Sequence, residues 1–323
     1  MKLLAPVSNL ASCVKQIEAG ANEIYVGGTT KAFEGFSFNA RPKQKGPYGI
    51  ICPEFSELRE IVNFAHQHDA TVMFAANTPI LANDPEGTNY FETEFLKYIE
   101  EGVNAGVDSI VVADLGAAIL IRQKGIKTHL TASTTIESIN IEQIKFFEEL
   151  GFKRVVLSYL VTLSEIEELT RLSNLEVEVF GHFGCSLYDG YCNFKHPPEE
   201  MEYARNIGIP CMNTYNLMKD GEIVKEGQFL KGSLMCSICS LPRLKMAGVH
   251  SIKMVGRELD ADYTSGLTRL YANILREINQ SENPLELDME VIKRKYLDEG
   301  WLNGLCKNRL CKYIENPITM SYV

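Results

Sequence analysis

Four stretches of the chain repeat one arrangement of polar and apolar positions. An amphipathic segment of helical period ends on Gly, and a short β-rich run follows at once. They read EAGANEIYVGG (18–28), NAGVDSIVVAD (104–114), ELGFKRVVLSY (149–159) and MAGVHSIKMVG (246–256). Glycine closes a helix because it enters the left-handed region without a Cβ clash. Apolar runs such as IVVA and VVLS suit strands buried on both faces of a parallel sheet. Each junction therefore reads as part of a βαβ unit. With the remaining runs added, the pattern predicts eight strands, at 2–5, 23–27, 71–76, 109–113, 127–131, 154–158, 176–181 and 251–255. Helical periods such as SELREIVNFAHQH and IEQIKFFEEL separate most of them. Eight such alternations favour an α/β fold of the closed (β/α)8, TIM-barrel-like type over an open doubly wound sheet. No GxGxxG or GxxxxGK(S/T) fingerprint follows any strand, which also argues against nucleotide binding on an open sheet.

Two segments break the repeat. Residues 29–53 form a Gly/Pro-rich loop after the second strand, and residues 182–240 form a long excursion between strands seven and eight. Loops of such length are usually functional. In a barrel both would leave the C-terminal face, where active sites of this fold lie. The expected organisation is one barrel domain over 1–282, including the cysteine-rich insertion 182–240, followed by a helical tail over 283–323.

Composition narrows the setting. The 323 residues are 45% hydrophobic with a formal net charge of -10, which disfavours broad contact with nucleic-acid phosphates but leaves room for a local basic groove. No run approaches the roughly 18 consecutive apolar residues of a membrane span. The start, MKLLAPVSNLASC, turns polar too soon for a secretory signal, so a cytoplasmic location is expected. Nine cysteines in a reducing compartment do not read as a disulfide framework. Cys13 and Cys52 stand alone and suit small buried hydrophobes. Cys185, Cys192, Cys211, Cys236 and Cys239 crowd into 55 residues of the excursion. Cys306 and Cys311 read as free thiols on a mobile tail, with too few partners for a metal site of their own.

The crowded cysteines invite metal chemistry. Gly184 and Gly190 give the loop around Cys185 and Cys192 the freedom to wrap a cluster, which needs four soft thiolates. Zinc favours two short knuckles, whereas the excursion carries one CxxC, Cys236 to Cys239. On spacing alone, iron–sulfur, zinc and no metal all stay open.

The stretch EVFGHFGCSLYDGYC carries a resemblance, together with APVSNL near the start, GVDSIVVAD mid-chain and AGVHSIKMVGRELDADY late. In order over roughly residues 3–280, these resemble the collagenase-like peptidase family U-32. The resemblance implies a barrel-like fold, a 4Fe–4S cluster, and oxygen-independent hydroxylation or RNA modification. For some members it also implies pairing with a related chain, so a hetero- or homodimer is an expectation. Carried over by position, it implies Cys185, Cys192, Cys211 and Cys236 as cluster ligands, with Cys239 as the alternative fourth. Lys253, Gly256 and Arg257 match the family's Lys-x-x-Gly-Arg motif, and Tyr263 matches a following aromatic. This chain departs from the pattern in several places. The loop from His182 to Cys185 is one residue shorter, Tyr191 replaces an Arg, Tyr159 and Leu160 replace an Arg-Glu pair, and HLTASTT lacks a Gln and an Asn near positions 133 and 135. These changes fall at strand C-termini, where a substrate would sit, so the cluster can persist while the substrate differs.

Four further side chains are candidates. His182 is either a hydrogen-bonded loop histidine or a proton donor beside the cluster. Arg257 offers a fork for an anionic substrate, or pairs with a carboxylate. Lys253, inside a strand, needs an ion-pair partner or a site role. Asp114 is an acid, a base or a helix cap. Tyr188 and Tyr191 are expected to pack over the cluster. Three functions follow: an iron–sulfur modification enzyme acting on a small molecule, peptide or RNA; a peptidase; or a non-catalytic cluster-binding partner. The absence of HExxH, GxSxG and a Cys–His signature speaks against the second, since iron-bound thiolates are not free nucleophiles.

Overall fold

The computed structural model describes residues 1–29, 45–46, 49–50, 52–77, 90–158, 160–182, 214–229, 235–257 and 259–313. The predicted strands form β1 (Lys2–Pro6), β2 (Glu23–Val26), β3 (Thr71–Ala76), β4 (Ser109–Val112), β5 (His129–Ala132), β6 (Arg154–Val156), β7 (Glu176–Phe180) and β8 (Ser251–Lys253). Each pairs in parallel with its sequence neighbours, and β1 pairs with β8 to close the barrel. The helices are α1 (Leu10–Glu18), α2 (Phe55–Gln67), α3 (Tyr90–Asn104), α4 (Leu115–Gln123), α5 (Ile141–Glu149), α6 (Leu163–Leu172), α7 (Leu241–Met246), α8 (Ala261–Gln280) and α9 (Met289–Tyr296).

Local chemistry sets the boundaries. Asn9 and Thr162 head α1 and α6 with capping boxes, Asn9 with Ser12 and Thr162 with Glu165. The glycine of all four repeats, Gly20, Gly106, Gly151 and Gly248, has positive φ, so each helix stops where the sequence pattern says it should. Strand alternation then sorts the side chains. Ile24, Phe74, Ile110, Leu130, Val155, Val179 and Ile252 point outward into the core shared with the helices. Leu4, Tyr25, Met73 and Val111 form a separate cluster inside the barrel. Both faces are apolar over much of their area, which is why these strands read as continuous hydrophobic runs.

The excursion carries an antiparallel hairpin, Tyr215–Lys219 with Glu222–Gly227, whose residues are mostly exposed. After α8 the chain does not trail away. Asp288 caps α9, Asp298 caps the next turn, and a π-helical turn spans Leu302–Cys306. Cys311 then lies in a parallel bridge with Cys236, and Lys312 and Tyr313 are buried. The expectation of a mobile tail is corrected up to Tyr313, because Leu305, Lys312 and Tyr313 lose their solvent contact against the rest of the molecule. No helix among the described residues is long and apolar enough to cross a membrane.

Candidate functional site

The floor of the barrel is charged. Arg154 opens β6, and strand alternation aims it at the interior occupied by Glu23 of β2 and Glu176 and Glu178 of β7. Its two terminal nitrogens donate to the two Glu23 oxygens at 2.8 Å each. Its Nε donates to Glu176 at 2.9 Å, and a terminal nitrogen reaches Glu178 at 3.1 Å. A lone buried guanidinium would be untenable, but here every face of the fork meets a carboxylate. Burial alone would raise the Glu23 carboxyl. The His250 ring at 3.7 Å and the bidentate Arg154 outweigh burial and hold it well below the usual carboxylate range. Of the two, only Arg154 has hydrogen-bond geometry, so the larger share is assigned to it.

Towards the mouth, Glu178 gives its second oxygen to Lys253, the last residue of β8, at 3.1 Å. The Lys253 ammonium lies 4.7 Å from the centre of the Tyr25 ring, and the Arg257 guanidinium lies 5.3 Å from the same centre. Both are cation–π distances. Gly256 makes the return possible: its φ is +124°, and a Cβ there would stand 2.8 Å from Leu259. Arg257 and Lys253 are thus brought together over one aromatic ring at the C-terminal end of the barrel.

His182 lies two residues beyond β7 and is 1% exposed. Burial, helped by the charge of Lys312, lowers its pKa to about 3, so the ring is neutral at physiological pH. It can exchange hydrogen bonds but is not an imidazolium acid there. Tyr271 donates to the Gly181 carbonyl at 2.6 Å, and Tyr313 donates to that of Phe180 at 2.8 Å. These bonds anchor the end of β7. Asp114 caps α4, its carboxylate accepting from the Ala117 N–H at 3.0 Å.

Of the expected cluster ligands, Cys185, Cys192 and Cys211 lie outside the described residues, as do Tyr188 and Tyr191. Cys236 is described: a buried free thiol in an antiparallel bridge with His182. Ser237 also donates from its backbone to the Gly181 carbonyl at 3.2 Å. The two ends of the excursion therefore meet where His182 and Cys236 pair. A buried thiol at that meeting point fits a thiolate-bound metal in its donor chemistry. No group of three or more His, Cys, Asp or Glu side chains among the described residues is already set as a metal site.

Sequence reasoning did not find Tyr25 or the Glu23–Arg154–Glu178 ladder. The available signal was the period-two acids of EVEVF (176–180) and the arginine of KRVV (153–156), both inward-facing once the strands are placed.

A family model described as peptidase family U32 matches residues 8–310. The chain is 26% identical over 289 residues to the 23S rRNA 5-hydroxycytidine C2501 synthase of Escherichia coli, covering 88% of this chain and 41% of that protein. It is 28% identical over 299 residues to an uncharacterized protease of Methanocaldococcus jannaschii, covering 86% and 66%. It is 24% identical over 284 residues to tRNA hydroxylation protein P1 of Bacillus subtilis, covering 85% and 63%. The chain thus spans less than half of the ribosomal-RNA relative and just under two thirds of the other two.

Proposed function

Because the chain belongs to peptidase family U32, we propose that it is an RNA-modifying enzyme of the hydroxylase type, acting in the cytoplasm, whose barrel mouth takes in a nucleotide. The observation that carries this reading is the pair of cations, Lys253 and Arg257, held over Tyr25 at the catalytic end of the barrel. In a chain of net charge -10, anion recognition has to be local, and this is where two cations converge. Glu178 fixes the lysine, and the arginine keeps the planar fork suited to a phosphate or a base edge. The relatives named for rRNA and tRNA hydroxylation support RNA as the substrate class.

A 4Fe–4S cluster fits the same reading. Cys185, Cys192 and Cys211 would supply thiolates, with Cys236 the fourth on the resemblance alone. When bound, the cluster would supply electron transfer. The chain's own contribution is to orient and to exclude water. His182 stays neutral beside Cys236, and Tyr271 and Tyr313 hold the strand end on which His182 sits.

The test has two parts. Anaerobically purified protein should be brown, and Cys185→Ser, Cys192→Ser and Cys211→Ser should each lose iron and visible absorbance. Nucleosides from the rRNA and tRNA of a deletion strain should lack one oxygen-bearing modification, restored by the parent gene but not by Arg257→Ala. A colourless, iron-free protein that cleaves peptides and leaves RNA nucleosides unchanged overturns the reading.

A further inference from the structure

A lysine from the C-terminal segment reaches the same mouth. Lys312 follows α9 and lies just past the residues that match the family model, so the resemblance says nothing of it. Lysines are rarely buried without a reason, because the ammonium gives up its hydration. Lys312 is 2% exposed. Its backbone is held on both sides: the N–H donates to the Cys236 carbonyl at 2.7 Å, and the carbonyl accepts from Ser240 Oγ at 3.3 Å. Cys236 donates to the Leu310 carbonyl at 2.9 Å, which completes the short parallel bridge with Cys311. The segment is thus tied to the end of the excursion, on the strand that pairs with His182.

Strand alternation places the ring that Lys312 meets. Glu176 and Glu178 face the interior, so Phe180, two residues further along β7, faces inward at the C-terminal end of that strand. In the parallel register Phe180 stands beside Lys253. The Lys312 ammonium lies 5.7 Å from the centre of the Phe180 ring and 4.9 Å from that of Tyr313, both cation–π distances. Tyr313 in turn donates to the Phe180 carbonyl at 2.8 Å, which seats the segment against β7. Tyr25 of β2 therefore carries Lys253 and Arg257, while Phe180 of β7 carries Lys312. The three cations share one arc of the rim, running from β2 through β1 and β8 to β7. Arg257 and Lys312 are both withdrawn from bulk water. An anion that meets them is desolvated too, and charge-assisted hydrogen bonds are strongest in such surroundings.

We propose that Lys312 is a third anion-binding residue of the mouth, which with Lys253 and Arg257 grips a phosphate of the bound RNA. This rests on the RNA reading above and deepens it, since it assigns the phosphate, and not only the base, to the barrel mouth. An ammonium carries three N–H donors, so Lys312 can bind a phosphate oxygen while keeping its present contacts. Rings beside cations suit a nucleotide, whose base stacks while its phosphate is neutralised. The C-terminal segment is then part of the site, a clamp on the rim that brings in charge from outside the barrel. The same cradle suits a free polyphosphate, and the two sources are tested separately.

The experiment compares the full-length parent with Lys312→Met, Lys312→Arg and Tyr313→Phe in binding total tRNA of a deletion strain across a potassium chloride series. Methionine keeps an unbranched apolar stem against both rings, so the melting temperature should stay parental. Lys312→Met should bind about tenfold more weakly, the loss of one charge-assisted hydrogen bond. The slope of log affinity against log salt should shrink by about 0.7–0.9, the value of one phosphate contact. Lys312→Arg should keep the slope. Tyr313→Phe loosens the segment but keeps the cation, so it should weaken binding with the parental slope. A purely structural role predicts that same behaviour for Lys312→Met, and a parental slope there overturns the proposal. If Lys312→Met does not fold, Lys312→Gln carries the same slope test. Tripolyphosphate is the second probe: it should raise the melting temperature of the parent and raise that of Lys312→Met less. A parent that ignores tRNA but responds to tripolyphosphate through Lys312 defeats the RNA reading and leaves the anion site standing, with free phosphate as its source. A parent blind to both probes overturns the proposal.

Discussion

Lys253 Nζ and Glu178 Oε1 lie 3.1 Å apart across the seam between β8 and β7, and this ion pair joins the mouth of the barrel to its floor. The other oxygen of Glu178 accepts from Arg154, which in turn holds Glu23. Charge at the mouth is thereby set by groups on the opposite side of the interior, and a change at either end is felt along the ladder.

Arg257→Ala should weaken RNA binding or turnover by about 10- to 100-fold, the range expected for losing charge-assisted hydrogen bonds to an anion. Melting temperature and metal content should stay at parental values. Arg257→Lys keeps the charge but not the fork and should recover only part of the loss. Equal turnover by Arg257→Ala and the parent would remove Arg257 from the site.

Glu23→Gln should destabilise the fold by about 3 kcal/mol near neutral pH, because it leaves part of a buried guanidinium uncompensated. The pH dependence has a definite sign. The folded Glu23 pKa lies below its ordinary 4.5, so its contribution is fully present above that value and is lost as pH falls. Urea midpoints taken from about pH 5 to about pH 2 should drop for the parent and drop less for Glu23→Gln. Parallel curves would show that other carboxylates dominate.

Asp114 acts as a cap in this fold. Asp114→Asn should therefore keep both stability and turnover, and Asp114→Ala should cost about 1 kcal/mol with turnover unchanged. Loss of turnover in the folded Asn variant would restore an acid–base role.

Gly181 sits where a Cβ would stand 2.7 Å from Ile252, 3.1 Å from the Met254 sulfur and 3.3 Å from the Tyr271 ring. Gly181→Ala should cost about 1–3 kcal/mol through overpacking and should loosen the strand end that carries His182. Denaturant melts measure the first effect, and amide exchange at Gly181 and Ser237 measures the second. An unchanged midpoint would mean that the Tyr271 ring yields without strain.

By itself, the sequence determined the eight strands, their order and the glycine stops. All of these follow from interactions a few residues long: alternation, helical period and left-handed caps. It also showed that the cysteines fall in groups, and the family resemblance placed Lys253 and Arg257 in one motif. Which groups face each other was decided only by closure of the barrel. Arg154 finds Glu23 across 131 positions, and the tail Cys311 finds Cys236 from beyond α7, α8 and α9. A strand's pattern states that a charge points inward but not which charge lies opposite. Cysteine spacing reveals a pair within one turn but cannot reveal that two turns will meet. Partners of that kind are set by long-range packing, where the exclusion of water makes an unmatched charge costly and a matched one decisive.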